Sequence, residues 1–133
     1  MPVSNDLWPD DIAVTDMLTP LSILKEQASN LGGRTKNLVQ GELVQRITRR
    51  EDEPLDSFIF SFYLKAPALQ NYKYQLFWVT YPISFYPLTI HSGGSDSDIT
   101  VNSQDELVNE LRNIFSQEKT KTVIHALIAQ SNK

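Results

Sequence analysis

Between Ser57 and Ile90 lie all of the chain's aromatic residues except Trp8 and Phe115. The run divides into three strand-length pieces, and each alternates with a period of two. Rings this dense must build the core, and the remaining sequence has to cover them. At 133 residues the chain is one domain by length, long enough to bury a core without a disulfide or a metal. It has no cysteine, so disulfide scaffolds, thiolate metal sites and cysteine nucleophiles are excluded.

The elements follow from local signals. Thr19 and Pro20 make a helix start, a hydroxyl at the N-cap followed by proline at the first helical position. Leu21, Leu24, Ala28 and Leu31 share one face, and Gly32 and Gly33 then supply a C-cap, so the spacing predicts a helix over 20–31. Alternation of Val39, Leu43 and Ile47 with polar residues predicts a long first strand over 36–50, with Gly41 a candidate bulge. The acidic turn 51–56 leads to a second strand, 57–65. After a turn at 66–71 come a third strand, 72–81, and a fourth, 83–91, which Pro82 and Pro87 mark as an edge or a bulged strand.

The loop 92–98 precedes a short strand at 99–101. Ser103 and Glu106 have capping-box spacing ahead of the stripe Leu107, Val108, Leu111, Ile114 and Phe115. A second stripe, Val123, Ile124, Leu127 and Ile128, falls nearly opposite the first on one continuous helix. The chain therefore breaks near 116–120, and a final helix, or alternatively a strand, spans about 121–130. The fold expected is α+β, in the order α-β-β-β-β-(β)-α-α. An antiparallel meander of four to five strands carries the N-terminal helix and two C-terminal helices mainly on one face. Residues 19–131 form the domain, and residues 1–18 form an acidic segment. In that segment Trp8 is either pinned onto the domain, the expected outcome, or left as an anchor for a partner.

Strict alternation puts Phe58, Phe60, Phe62 and Leu64 on one face with Tyr74, Leu76 and Trp78. The opposite face then holds Ile59, Tyr63, Phe77, Val79, Tyr81, Ile83 and Phe85. An antiparallel sheet with one wet side should be polar there, and large apolar patches mark contact sites. Four covers are open: the chain's own N-terminal segment or final helix, a second copy packed sheet to sheet, a ligand in an aromatic pocket, or another protein. Tyr63, Phe77, Tyr81 and Phe85 are accordingly the candidate partner- or ligand-binding residues. Arg46 and His91 are the polar anchors.

No catalytic residue, metal ligand set or cofactor is predicted. His91, Gly93, Gly94, Asp96 and Asp98 form the one loop cluster that resembles a cation or anion site, but Gly, Ser and Asp are also ordinary turn residues. His125 sits in an apolar helical run and reads as a packed or half-exposed residue, not a ligand. G-x-S-x-G, H-E-x-x-H, the Walker loop and G-x-G-x-x-G are all missing, and this weighs against an enzyme. The net charge of −4 disfavours nucleic acid as a partner, although Arg34, Lys36, Arg46, Arg49 and Arg50 make a local basic span. No apolar run is long enough for a membrane span, and the N-terminus lacks the pattern of a signal peptide. The expectation is a soluble cytoplasmic protein. Its expected role is a non-catalytic interaction or regulatory module, a homodimer through the second sheet face, with a protein partner open. The alternative is a small-molecule-binding domain or enzyme with an aromatic-lined pocket on the concave face of the sheet.

Overall fold

A computed structural model of the chain describes residues 6–15, 17–46, 57–92 and 98–132. The elements run α1 (Pro20–Arg34), β1 (Gln40–Gln45), β2 (Phe58–Ala66), a 3-10 turn (Pro67–Leu69), β3 (Tyr72–Tyr81), β4 (Leu88–His91), β5 (Ile99–Val101), α2 (Gln104–Ser116) and α3 (Glu118–Ser131). All neighbouring strands are antiparallel, in the sheet order β1-β2-β3-β4-β5. This is the five-stranded α+β meander expected from the short loops.

At the start of α1 the Thr19 hydroxyl accepts from the Ser22 N–H (3.0 Å), and the Ser22 hydroxyl accepts from the Thr19 N–H (2.9 Å). The helix passes through both glycines and stops only at Thr35. The Thr35 hydroxyl reaches the carbonyl oxygens of Leu31 (3.0 Å) and Val39 (2.7 Å), and it accepts from the Val39 N–H (3.1 Å). Positive φ falls on Lys36 and Asn37 instead of glycine. Gly32 serves the reversal differently: the Asn37 N–H donates to its carbonyl at 2.8 Å, and a Cβ there would stand 3.0 Å from Asn37 Oδ1. Because the reversal occupies residues 35–39, β1 starts later than alternation alone suggests. The far end of the predicted first strand, 47–50, and the turn 51–56 lie outside the described residues.

Sheet register decides which side chains share a face. Phe58, Phe60 and Phe62 of β2 stand opposite Tyr81, Val79 and Phe77 of β3, and the next pair is Tyr63 with Gln75. Leu76 is therefore the extra residue of a β-bulge, which reverses the parity of β3 at that point. Phe77, Val79 and Tyr81 thus lie on the helix-covered inner face, not on the opposite face where uninterrupted alternation puts them. A complete inner row, Gln45–Phe60–Val79–Ile90–Ile99, crosses all five strands. The bulge is on β3. At Gly41, the candidate bulge in the sequence, pairing with β2 is continuous.

The helices close the inner face. Ser103 caps α2 by accepting from the Glu106 N–H at 3.2 Å, while Glu106 Oε1 accepts from the N–H of Asn102 at 3.3 Å. Leu107, Leu111 and Ile114 of α2 are buried, as is Leu127 of α3. The expected break between the two stripes is a single residue, Gln117, in extended conformation (ψ 145°). Beyond it, buried Thr120 donates its hydroxyl to the Ile114 carbonyl at 2.7 Å, replacing the helical donor that the break removes. Thr120→Val keeps the shape and loses that donor. It is expected to lower stability by about 1–2 kcal/mol in urea denaturation.

The prolines around β4 also act outside the strand. Residues 82–87 form a turn closed by the Phe85 N–H donating to the Pro82 carbonyl at 2.8 Å, with Phe85 at φ 79°. The fourth strand therefore begins at Leu88, and β5 is the sheet edge on that side.

Candidate functional site

The predicted site residues are not brought together. Phe77 is fully buried (0% exposed) in the inner core, and Tyr81 is buried beside it. Burial pushes the Tyr81 phenol up to about 12. Phe85 packs against the same core from the turn. Tyr63 and His91 belong to the outer face by register, and Arg46 continues that face, its N–H donating to the Ile59 carbonyl at 2.8 Å.

This outer face is mainly polar, contrary to the apolar surface that alternation predicts. Its rows read Gln40–Lys65–Lys73, Glu42–Tyr63–Gln75, Val44–Ser61–Trp78–His91 and Ile59–Thr80–Thr89–Thr100. Glu42 lies 3.0 Å from Lys73 Nζ and 3.7 Å from Lys65 Nζ, and Lys73 Nζ stands 5.8 Å from the Tyr63 ring centroid. Gln75 Nε2 donates to Ser61 Oγ at 3.1 Å. Ile59, Ser61 and Thr80 are buried on this face.

One chain of groups there has a suggestive order. His91 Nδ1 meets Asp98 Oδ2 at 3.0 Å, and His91 Nε2 lies 3.1 Å from the Thr80 hydroxyl. The Trp78 ring stacks on the imidazole, with centroids 4.9 Å apart and planes at 9°. Hydroxyl, imidazole and carboxylate thus stand in the order used for nucleophile activation. Thr80, however, is a buried residue next to the end of β3, held in the sheet between Ile59 and Thr89. The arrangement ties the β5 end of the sheet to β3. Of the loop cluster singled out in the sequence, Gly93, Gly94 and Asp96 lie outside the described residues. Among the described residues no three His, Asp or Glu side chains gather in a way that could hold a metal ion.

The inner side offers a different feature. α1 lies along β1, while α2 and α3 cover the sheet beyond, and a cleft runs between them. One part, about 200 Å³, is lined by Ile23, Gln27, Val108, Leu111, Arg112, Phe115 and Ser116. Its continuation, about 410 Å³, adds Asn30, Leu31, Arg34 and Ile124 above a floor of Phe62 and Leu64. No acidic residue lines either part, although acids outnumber bases in the whole chain. Arg34 and Arg112 are exposed, and among the described residues neither makes an ion pair.

The N-terminal arm, the described residues ahead of Thr19, contributes nothing to the core. Leu7 is 89% exposed, Trp8 74% and Ile12 63%, and Val14, Met17 and Leu18 are exposed too. The expectation that Trp8 is pinned onto the domain is therefore not met. A turn at Pro9–Ile12, with the Ile12 N–H donating to the Pro9 carbonyl at 3.1 Å, holds Asp10 and Asp11 at its tip between Trp8 and Ile12. The arm's own sequence carried this signal, since a tryptophan among acids has nothing local to pack on. The cleft residues carried none, because their grouping depends on how far apart the helices stand.

Comparison of the chain with protein-family models, with curated proteins and with solved structures finds no match. Among the described residues no helix is long and apolar enough to cross a membrane.

Proposed function

We propose that this chain is a non-catalytic interaction module that self-associates, with the N-terminal arm as its recognition element. The observation that carries the reading is the exposure of Leu7, Trp8, Ile12, Val14, Met17 and Leu18 within one short acidic stretch. Solvated apolar side chains crowded together in this way signal a contact surface, and an aromatic anchor flanked by aliphatics is the usual energetic centre of one. The outer sheet face, with its ion pairs and hydroxyl rows, makes the weaker claim. A homodimer in the cytoplasm is the assembly and setting we assign.

Sedimentation velocity over the micromolar range tests this. The unmodified chain is expected to sediment as a dimer, and Trp8→Glu with Ile12→Glu as a monomer. The thermal transition of the separated domain should be unchanged, because the arm lies outside the core. A monomeric unmodified chain, or a dimer indifferent to the double substitution, would overturn the proposal.

A further inference from the structure

We infer that the arm of one copy seats in the cleft between α1 and the α2–α3 pair of a second copy. This rests on the arm being the recognition element, and it adds the receptor. Charge selects the cleft. Its lining pairs Arg34 and Arg112 with no acid, and the arm presents Asp10 and Asp11 beside its largest apolar side chains. Two other hollows, each about 480 Å³, lack that complement: one is lined by Glu42 as well as Lys25, and the other by no charged residue.

Size agrees as well. The α1 wall from Ile23 to Arg34 is about 16 Å long at the helical rise. Trp8 to Ile12 spans at most about 14 Å even when extended. The half-buried walls, Leu31, Phe115 and Ile124, offer apolar surface for Trp8 and Ile12. In the single chain the arm stands outside its own cleft, so the occupant is the second copy's arm. Two arms exchanged between two clefts make a closed two-fold assembly in which each copy gives and receives once.

A charge-reversal cycle on the full chain tests the inference. Asp10→Lys with Asp11→Lys, and separately Arg34→Glu with Arg112→Glu, each set like charges against each other in both seats of a homodimer. Each variant alone is expected to raise the dimer dissociation constant about tenfold or more. Mixing the two restores dimerisation, because in the mixed pair a lysine arm meets a glutamate cleft while an aspartate arm meets an arginine cleft. All four positions are exposed, so both variants should stay folded, the cleft variant with a slightly lower midpoint because Arg34 is the basic residue in the last turn of α1. If the arm substitutions dissociate the dimer but the cleft substitutions do not, the receptor is wrong and the arm reading stands. If neither does, the exchange falls, and Trp8→Glu with Ile12→Glu decides whether the arm reading falls with it. A monomeric parent whose Trp8 is shielded from acrylamide, and becomes accessible in the Arg34→Glu and Arg112→Glu variant, would place the arm in its own cleft and overturn the exchange.

Discussion

Phe77→Ala is expected to cost about 3–5 kcal/mol of folding stability, measured by urea denaturation of the full chain. Phe77 is fully buried, its ring stacked on Phe62 with centroids 5.1 Å apart and planes at 10°. Phe115 closes over the same pair, 6.2 Å from Phe77 and 5.7 Å from Phe62. Truncation removes the ring that joins β2, β3 and α2, and it leaves a cavity walled by two other rings that cannot both collapse into it. Against a total stability of about 5–15 kcal/mol for an ordinary domain, such a loss approaches unfolding. Tyr63→Ala, on the outer face, removes a ring of similar size from a half-buried site and should cost much less. A larger cost at Tyr63 than at Phe77 would mean that the sheet faces are assigned the wrong way round.

That contrast marks where the sequence was legible. Helix starts were readable because caps are local chemistry: Thr19–Pro20 and Ser103 each announce themselves within four residues. The break between α2 and α3 was readable because two stripes on opposite sides of one continuous helix cannot both be buried. The parity of β3 was not. Leu76, Phe77, Trp78, Val79 and Tyr81 are apolar on both sides of the alternation, so hydrophobicity alone cannot choose a face. The choice rests on the pairing of Phe62 with Phe77 and on the bulge at Leu76, both of which are properties of two strands together.

The candidate site divided in the same way. Trp8 in an acidic segment already posed the alternative of anchor or packed residue, and the structure leaves it exposed. The cleft could not be read in advance. Gln27, Arg34 and Arg112 look like ordinary surface residues until α1 and α2 are set down on the sheet with a gap between them. The two glycines at the end of α1 misled for a related reason: glycine permits a left-handed cap but does not compel one, and here Thr35 ends the helix.

Gly41→Ala is expected to lower stability by about 3 kcal/mol, the upper part of the usual range for forcing extra volume into a packed contact. An added Cβ would stand 2.4 Å from the Cα of Ala28 and 2.7 Å from its Cβ, with the Ala28 carbonyl oxygen at 3.1 Å. The nearest atom is backbone, so no rotamer change can relieve the clash, and α1 must lift away from β1. Gly41 is not required for an unusual dihedral, because its pairing with Leu64 is regular; its role is to let the helix approach. A second substitution separates the two kinds of contact. If the crowding were between side chains, Ala28→Gly would restore Gly41→Ala. Here the Cα remains in the way, and glycine in mid-helix adds about 1 kcal/mol of its own cost, so the double variant should be no more stable than the single. Full rescue, or a Gly41→Ala protein as stable as its parent, would show that α1 is not seated on β1. Because α1 is one wall of the cleft, lifting it should also weaken self-association under conditions where the variant is still folded. That links the close approach of α1 to β1 at Gly41 to the seat assigned to the arm.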